Sequence, residues 1–277
     1  MIPSRSYVEC NKNNPVGHAM KIVSWNVNSI RARHDIVTEW LDGHKPDLLC
    51  LQETKVKDED FPQQAFADRG YNLYIHGQPA YNGVAFFAKA PVESLVYGMP
   101  GQHDDGQQKR FIAGTFGGVH VINIYAPNGQ TPEAPAFAYK RDWYVTLNAY
   151  LEKAVKDYKH VLICGDFNIA PSDDDVHDPK KLLGTCGFHP EEHVWFGQVM
   201  GKGLTDVVRQ HQPAGKLYSW WDYRQGALEK DRGMRIDHIL TTPALAVHCT
   251  AAYVDKEPRL LEKPSDHAPV VAEFTLS

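Results

Sequence analysis

The stretch KPSDHAPVVAEF, residues 263–274, is the part of the sequence from which the fold is most readily inferred. Its second half, Ala268 to Phe274, is an apolar run of strand length, and Asp266 and His267 stand directly before it. An acid beside an imidazole can bind a metal or move protons. We therefore expect this strand to carry both groups to the edge of a sheet, where other strands bring matching groups.

Apolar runs of strand length recur along the chain. They cover residues 20–27, 47–52, 71–77, 83–89, 110–116, 119–126, 160–167, 234–242 and 268–274. Helical spacing of apolar residues occurs between Asp35 and His44, before Pro46, and again over 137–155. The Asn82-Gly83 pair predicts a tight hairpin between two of the strands. Hairpins together with helical crossovers predict an α/β fold of mixed sheets packed face to face under outer helices.

Length and composition favour one domain. The chain has 277 residues, 43% of them hydrophobic, and no linker divides it. Its five cysteines lack the C-x-x-C spacing, which fits a reducing cytoplasm. No apolar segment suits a signal peptide or a membrane span, so no membrane partner is expected. The net charge of −5 argues weakly against a nucleic-acid partner.

Residues 1–19 stand apart from the rest of the chain. A second methionine, Met20, immediately precedes the first strand-like run. We expect residues 1–19 to be an expression leader or a poorly ordered extension, and residues 20–277 to form the single folded domain.

Polar side chains follow several of the apolar runs. They are Asn26, Glu53, Tyr125, Asp166 and Asn168, while Asp237 lies within a run. Each of them alone could simply cap a helix or form a turn. Because strand ends meet at a shared edge, however, several carboxylates and amides would converge there, and their repulsion requires a cation. Together these residues predict a metal site.

The types of ligand narrow the chemistry. Carboxylate and amide oxygens suit Mg²⁺ or Mn²⁺, and no His/Cys cluster has zinc spacing. Asp237 could orient His267 beside this site. An oriented imidazole next to a hard metal indicates hydrolysis of a phosphoester, and the sequence has no phosphate loop, nucleophile elbow or dinucleotide fingerprint.

The chain resembles the exonuclease III and abasic-site endonuclease family, part of the DNase I-like endonuclease/exonuclease/phosphatase superfamily. The matching stretches are SWNVNSIRAR (24–33), LQETKV (51–56), YNGVA (81–85), YAPNG (125–129), GDFNIAP (165–171), SWWDYR (219–224), RIDHIL (235–240) and PSDHAPV (264–270). GDFN and SDH mark the superfamily only, whereas QETK, SIRAR and SWWDYR are more specific to its DNA repair branch.

The resemblance implies a four-layer α/β sandwich of two mixed sheets with the site at one edge. It implies that Glu53 is the principal Mg²⁺ ligand. Around the metal and the phosphate it places Asn26, Asp166, Asn168, Asp266 and His267. Tyr125 would contact the phosphate or the leaving group, and Asp237 would hold His267. Whether Asp166 or His267 activates the water stays open.

Cationic and aromatic residues near these motifs predict a DNA-binding rim. The cations expected there include Arg31, Lys55, Arg110, Lys140, Arg224 and Arg235, although each could be an ordinary surface charge. Trp220 and Trp221 are both further candidates for DNA contact, although alternation along a strand should place one of them in the core and leave the other free to stack on a base. By resemblance, Trp220, Met234 and Ile236 would line the pocket for an extruded sugar.

These features predict a Mg²⁺-dependent DNA repair nuclease with three expected activities: 3′ to 5′ exonuclease, cleaning of 3′ ends, and incision at abasic sites. Its partner would be duplex DNA with 3′ ends, nicks or abasic sites, bound by a monomer. Two alternatives are a phosphoesterase for a small phosphoester and a binding protein that has lost catalysis. His177 is either an ordinary loop residue or a ring that narrows the sugar pocket and favours 3′ termini.

Overall fold

The computed structural model describes residues 18–102 and 108–276. Its strands are β1 (His18–Asn26), β2 (Leu48–Gln52), β3 (Asn72–His76), β4 (Val84–Ala88), β5 (Glu93–Tyr97), β6 (Phe111–Phe116), β7 (Val119–Tyr125), β8 (Val161–Asp166), β9 (Thr205–Asp206), β10 (Trp220–Trp221), β11 (Gly233–Met234), β12 (Asp237–Thr241), β13 (Cys249–Val254) and β14 (Val270–Leu276).

The α-helices are α1 (His34–His44), α2 (Gln63–Ala67), α3 (Pro135–Asp157), α4 (Pro179–Leu182), α5 (Pro190–Met200), α6 (Val207–His211) and α7 (Pro243–Ala246). The two helices predicted from apolar spacing correspond to α1 and α3. Proline starts α3 at a position where its missing N–H costs nothing, and Lys45 ends α1 in a left-handed conformation with φ 44°. Within the described residues, no helix is both long and apolar enough to cross a membrane.

Two six-stranded sheets form the centre of the fold. The first has the order β13-β14-β1-β2-β4-β3, and the second has the order β5-β6-β7-β8-β12-β9. β1 pairs with β2 in parallel and β7 with β8 in parallel, while the other neighbours are antiparallel. Both sheets are therefore mixed, as predicted.

Three apolar layers separate the four structural layers. Side chains such as Ile22, Phe86 and Ile239 fill the space between the sheets. Trp40 of α1 belongs to the cluster on the outer face of the first sheet. Trp143 of α3 belongs to the cluster on the outer face of the second sheet, together with side chains of α5. Strands covered on both faces explain why β2, β4 and β8 are buried throughout and largely apolar rather than alternating. The predicted four-layer sandwich is confirmed.

The register of the second sheet aligns three polar residues at one edge. Tyr125 at the end of β7 lies opposite Asp166 at the end of β8, and Asp166 lies opposite Asp237 at the start of β12. In the first sheet, Asn26 ends β1 beside Gln52, directly before Glu53. The sheets therefore bring the predicted residues to matching edges.

Three local predictions differ from the structure. The run 234–242 is divided between β11, which pairs with β10 outside the two large sheets, and β12 of the second sheet. Strands β3 and β4 pair as expected, but the loop 77–83 joins them instead of a two-residue turn. Strand β1 begins at His18, two residues before the predicted boundary, because it pairs with β14 from Leu276 onward. The prediction for residues 1–17 lies outside the described residues.

Gly165 has a conformation and an environment that exclude a side chain. Its φ is +138°, and a Cβ there would lie 1.9 Å from the carbonyl oxygen of Ile124 on the paired strand β7. We expect Gly165→Ala to prevent folding or to lower the melting temperature strongly, since the obstructing atoms are backbone. Gly43→Ala on α1 is the matched control, because nothing lies within 4 Å of that Cβ. There, alanine should stabilise the protein by about 0.5–1 kcal/mol. Thermal unfolding of the two variants measures the difference, and equal stability would contradict the steric argument.

Candidate active site

Three ligand-type residues meet where the two sheets share an edge. Glu53, Asp166 and His267 each offer one atom, and these atoms all lie within 4.8 Å of one another. Glu53 follows β2, Asp166 ends β8, and His267 precedes β14. Both sheets therefore contribute to the cluster, as predicted from the strand ends.

Asn26 and Asn168 hold the two carboxylates of this cluster. The Asn26 amide donates hydrogen bonds of 2.9 Å to Glu53 Oε1 and to Asp166 Oδ2. The backbone N–H of Asn168 donates to Asp166 Oδ1 at 2.8 Å. Glu53 and Asn168 both have a φ of 51°, in the left-handed region that residues other than glycine seldom occupy. Such strained backbone concentrates at functional sites.

His267 is oriented from the second sheet. Its Nδ1 lies 2.9 Å from Asp237 Oδ2, and its Nε2 lies 3.8 Å from Asp166 Oδ2. The hydroxyl of Ser219 donates to the same oxygen of Asp237 at 2.6 Å and accepts the backbone N–H of Asp237. The predicted contact between Asp237 and His267 is present, and Ser219 is a further member of this chain of hydrogen bonds.

The two buried members of the cluster have altered proton affinities. Burial raises the pKa of Asp166 to about 8, and the charges of Asp237 and Glu53 act in the same direction against the attraction of His267. Burial alone would lower the pKa of His267, but Asp237 and Asp166 outweigh it and raise that pKa to about 10. Without a cation beside them, both groups therefore hold their protons up to a higher pH than isolated side chains would.

Asp266 lies beside the cluster, with both carboxylate oxygens hydrogen-bonded. Asn28 donates to Oδ1 and the Trp220 indole donates to Oδ2, each at 2.9 Å. Burial raises the pKa of Asp266, but the charge of His267 and these two bonds together hold it below its usual value. Asp266 is thus an ionised neighbour of the cluster rather than one of its three members.

Two further residues complete this part of the site. Lys55 Nζ lies 2.8 Å from Glu53 Oε2 and donates to Asn28 Oδ1 at 2.5 Å. Asn28 therefore connects Lys55 to Asp266. The sequence analysis placed Lys55 among the rim cations and did not select Asn28, although its spacing two residues after Asn26 could have drawn attention to it.

These residues fit a divalent cation. Two carboxylates offer hard oxygen donors with an imidazole beside them, and the raised pKa of Asp166 reflects buried acids that a cation would neutralise. A metal could therefore be held here by Glu53 and Asp166 with His267 nearby.

A pocket of about 220 Å³ opens onto the cluster. Trp220, Met234 and Ile236 form part of its wall, where the sequence analysis expected them. Tyr125 lines it as well, and burial together with the charge of Glu53 raises the pKa of its hydroxyl well above the usual value. Arg110 stacks 4.5 Å from the Tyr125 ring centroid. Asn128, Cys186 and Gly187 also line the pocket and were not predicted.

Two predicted DNA contacts are wrong. Lys140 is fully buried, and its ammonium group lies 2.5 Å from the equally buried Glu192. Trp221 is also fully buried, and its indole N–H donates to Asp231 at 3.1 Å. The two tryptophans do take opposite environments, and it is Trp220 that faces the pocket.

The other predicted cations differ in their accessibility. Arg31 is exposed on the loop after β1. Arg224 is exposed and paired with Asp222 at 2.6 Å. Arg235, another expected rim residue, is buried between Asp175 and Asp206, at 2.7 and 2.6 Å. The rim near the pocket is therefore formed by fewer cations than expected.

His177 lies in a groove of about 370 Å³ that shares Cys186, Trp220 and Met234 with the catalytic pocket. Its Nδ1 is 3.3 Å from the carbonyl oxygen of Gly233, directly before Met234. The ring therefore lies beside the pocket wall. That is the location required by the hypothesis that His177 narrows the sugar pocket.

Comparison with known proteins identifies the class. Residues 23–267 match the model of the Endonuclease/Exonuclease/phosphatase family. Exodeoxyribonuclease III of Haemophilus influenzae is 38% identical over 92% of this chain and 100% of its own length. A 3′ phosphatase from Neisseria, solved with a product DNA hairpin, is 41% identical with a TM-score of 0.90 and coverage of 92% and 99%. An AP endonuclease from Archaeoglobus fulgidus is 39% identical with a TM-score of 0.87 and the same coverage.

The chain belongs to the endonuclease/exonuclease/phosphatase family. Within that family it is a hydrolytic DNA repair nuclease of the exodeoxyribonuclease III and AP endonuclease branch. The two alternatives, a phosphoesterase for small substrates and a binding protein without catalysis, gain no support from these relatives.

The altered pKa values predict how metal binding depends on pH. Because both pKa values are raised, the cluster holds protons at pH 6 to 7 that a cation must displace. The dissociation constant of Mg²⁺ or Mn²⁺ should therefore fall as the pH rises towards 8, by up to about tenfold per pH unit for one displaced proton. Calorimetric titration without DNA measures this constant. Asp166→Asn should weaken binding and flatten the pH dependence, and a wild-type constant equal at pH 6.5 and 8.5 would contradict the prediction.

Proposed function

We propose that this nuclease uses Mg²⁺, with Mn²⁺ as a possible substitute, to hydrolyse phosphoester bonds at 3′ ends, nicks and abasic sites of duplex DNA. The observation that carries the proposal is the convergence of Glu53, Asp166 and His267 within 4.8 Å. The activities of its relatives, a 3′ phosphatase, an exodeoxyribonuclease and an AP endonuclease, support the substrate class.

Glu53 and Asp166 would hold the cation, with Asn26, Asn168 and Asp266 around it. When bound, a divalent ion neutralises charge on the phosphoryl oxygens and lowers the pKa of water. The remaining chemistry belongs to the side chains.

Asp166 is the better candidate for the base that activates water. Its carboxylate belongs to the cluster, and a cation beside it would lower its raised pKa and leave the group able to accept a proton. Asp237 and Asp166, by contrast, raise the pKa of His267 and favour its protonated form. The attacking water gives its proton to Asp166, and its oxygen bonds to phosphorus. The bond from phosphorus to the departing oxygen breaks, and that oxygen leaves with the electron pair and takes a proton from solvent water. His267 donates a hydrogen bond from Nε2 to a phosphoryl oxygen while Asp237 holds Nδ1.

Tyr125 would assist at the same phosphate. Its raised pKa keeps the phenol protonated, so the hydroxyl remains a hydrogen-bond donor for a phosphoryl or leaving oxygen. Arg110 beside the ring adds positive charge. Farther out, the exposed Arg31 and Arg224 would contact the phosphate backbone, which lets a protein of net charge −5 bind DNA locally.

Trp220, Met234 and Ile236 would receive the terminal or extruded sugar. We infer further that His177 restricts this pocket, because its ring lies against the backbone just before Met234. Extruding an internal abasic nucleotide needs more space than binding a frayed 3′ terminus. The enzyme would then process mainly 3′ ends. We also propose that it acts as a monomer in the cytoplasm, where the free thiols of Cys50, Cys164, Cys186 and Cys249 would stay reduced.

Removal of the metal tests the proposed chemistry. EDTA should abolish release of phosphate from a 3′-phosphorylated duplex, and excess Mg²⁺ or Mn²⁺ should restore it. Glu53→Gln should raise the Mg²⁺ concentration needed for half-maximal rate, since one ligand loses its charge. Asp166→Asn should lower kcat by about 10²–10⁴-fold and leave DNA affinity largely unchanged. Activity that survives exhaustive chelation would refute the assignment.

Substrate choice tests His177. We expect His177→Gly to raise the ratio of abasic-site incision to 3′-phosphate removal, because glycine opens the pocket entrance. The ratio is measured on duplexes of matched sequence under one salt condition. His177→Asn is a control that keeps a polar group with less bulk and should give an intermediate ratio. A ratio that is the same in all three proteins would leave His177 as an ordinary loop residue.

A further inference from the structure

Lys140 and Glu192 form a buried ion pair directly behind the catalytic pocket. Both side chains are fully inaccessible, and Lys140 Nζ lies 2.5 Å from Glu192 Oε1. Lys140 comes from α3 and Glu192 from α5, so the pair also joins the two helices that cover this face of the second sheet. Neither side chain reaches the pocket itself.

The remaining hydrogen bonds of the pair are directed at active-site loops. Lys140 Nζ donates to the carbonyl oxygens of Asn128 and Asn168, at 3.1 and 2.8 Å. Glu192 Oε2 accepts the backbone N–H of Gly187 at 2.6 Å and of His189 at 3.0 Å. Three separate loops are thus fixed to a single charged pair.

Each of these loops supplies part of the pocket wall. Asn128, Asn168 and Gly187 all line it. Because Lys140 binds the carbonyl oxygens of Asn128 and Asn168 from behind, it fixes the peptide groups from which these side chains project. Asn128 in turn donates to Asn168 Oδ1 at 3.0 Å, and the Asn168 N–H supports Asp166. Asn168 therefore links Lys140 to Asp166, the proposed base.

The backbone of Asn168 makes this support necessary. Its φ of 51° is unfavourable for a residue with a Cβ, so the conformation persists only where neighbours enforce it. Lys140 bonds the carbonyl of that same residue. A buried ion pair is weak evidence for stability, since apolar residues of similar volume often serve as well. The hydrogen bonds from the Lys140–Glu192 pair to three loops are better explained by the positions in which they hold those loops.

We propose that Lys140 and Glu192 are positioning residues for the nuclease reaction. They act through the backbone of Asn128, Asn168 and Gly187 and do not touch DNA or metal. The proposal rests on the proposed function, because the reaction that it serves is hydrolysis at this pocket. It also replaces the expectation that Lys140 binds DNA.

The test removes both charges together, as Lys140→Met with Glu192→Gln, so that no unpaired ion is left buried. Glutamine keeps an oxygen for the N–H groups of Gly187 and His189. On a duplex with a 3′-phosphate and saturating Mg²⁺, kcat should fall by up to about 10²-fold, the loss that a small misplacement of catalytic groups can cause. The KM for DNA should change less than about threefold, since the exposed cations are untouched.

A double-mutant cycle separates positioning from general loss of stability. Asn168→Ala should reduce kcat in the wild type, and the same substitution should cost about tenfold less when the charged pair has been removed, because Asn168 is then already misplaced. Leu151→Ala is the control. Leu151 is buried on the same helix, about three turns away, and should lower the melting temperature without changing kcat or the effect of Asn168→Ala.

The outcomes are distinct when all proteins are assayed well below their melting temperatures. Additive effects, or an unchanged kcat in the neutral pair, would overturn the positioning role while the proposed function stands. A wild type that hydrolyses no DNA substrate with any metal would overturn both. If the double variant does not fold, Glu192→Gln alone replaces it in the same cycle. The same coupling with Asn168→Ala is expected, and additive effects would again overturn the positioning role.

Discussion

The contact between His267 and Asp237 is the constraint on which the site depends, because it crosses from one sheet to the other. His267 precedes a strand of the first sheet, and Asp237 begins a strand of the second. Asn26 of the first sheet makes a second such contact by donating a hydrogen bond to Asp166 of the second sheet. Small changes in how the sheets stack would separate the groups that must act together. The apolar layer between the sheets therefore has a catalytic role as well as a stabilising one, since its close packing fixes the spacing of their edges.

A second set of polar contacts between the sheets lies just behind the site and keeps the two sheets in register. Gln52, the residue before Glu53, donates to Asn123 of the second sheet at 2.7 Å. Asn123 donates back to the carbonyl oxygens of Leu51 and Ala85, at 3.0 and 3.1 Å. Buried amides discriminate between registers more sharply than apolar side chains do, because an unpaired amide is costly. Polar contacts thus extend from the site into an otherwise apolar interior.

The sequence predicted the parts of the site that depend on local pattern. Glu53, Asp166 and Asp237 could be found because an apolar run followed or interrupted by an acid is visible in the residues themselves, and sheet geometry brings such positions together. Lys140 and Trp221 were misplaced because accessibility depends on distant segments. Lys140 is enclosed by α5, fifty residues onward, and Trp221 lies beneath the segment carrying Lys256. The division of the run 234–242 was missed because its two parts are equally apolar but have different partners. The sequence shows that a side chain is charged, but it does not show which residues pack over that side chain.

The pairing of β1 with β14 has a consequence for the order in which the protein is assembled. These strands are the first and last of the described chain, and they are central neighbours in the first sheet. During synthesis β1 emerges early, yet the edge that receives β14 stays open until that strand, the last of the described residues, has left the ribosome. Contacts so distant in sequence are slow to form in folding. His267 lies just before β14, so a nascent chain can contain Asn26, Glu53 and Asp166 and still lack the imidazole. The imidazole therefore joins the site only after the groups that the earlier strands supply.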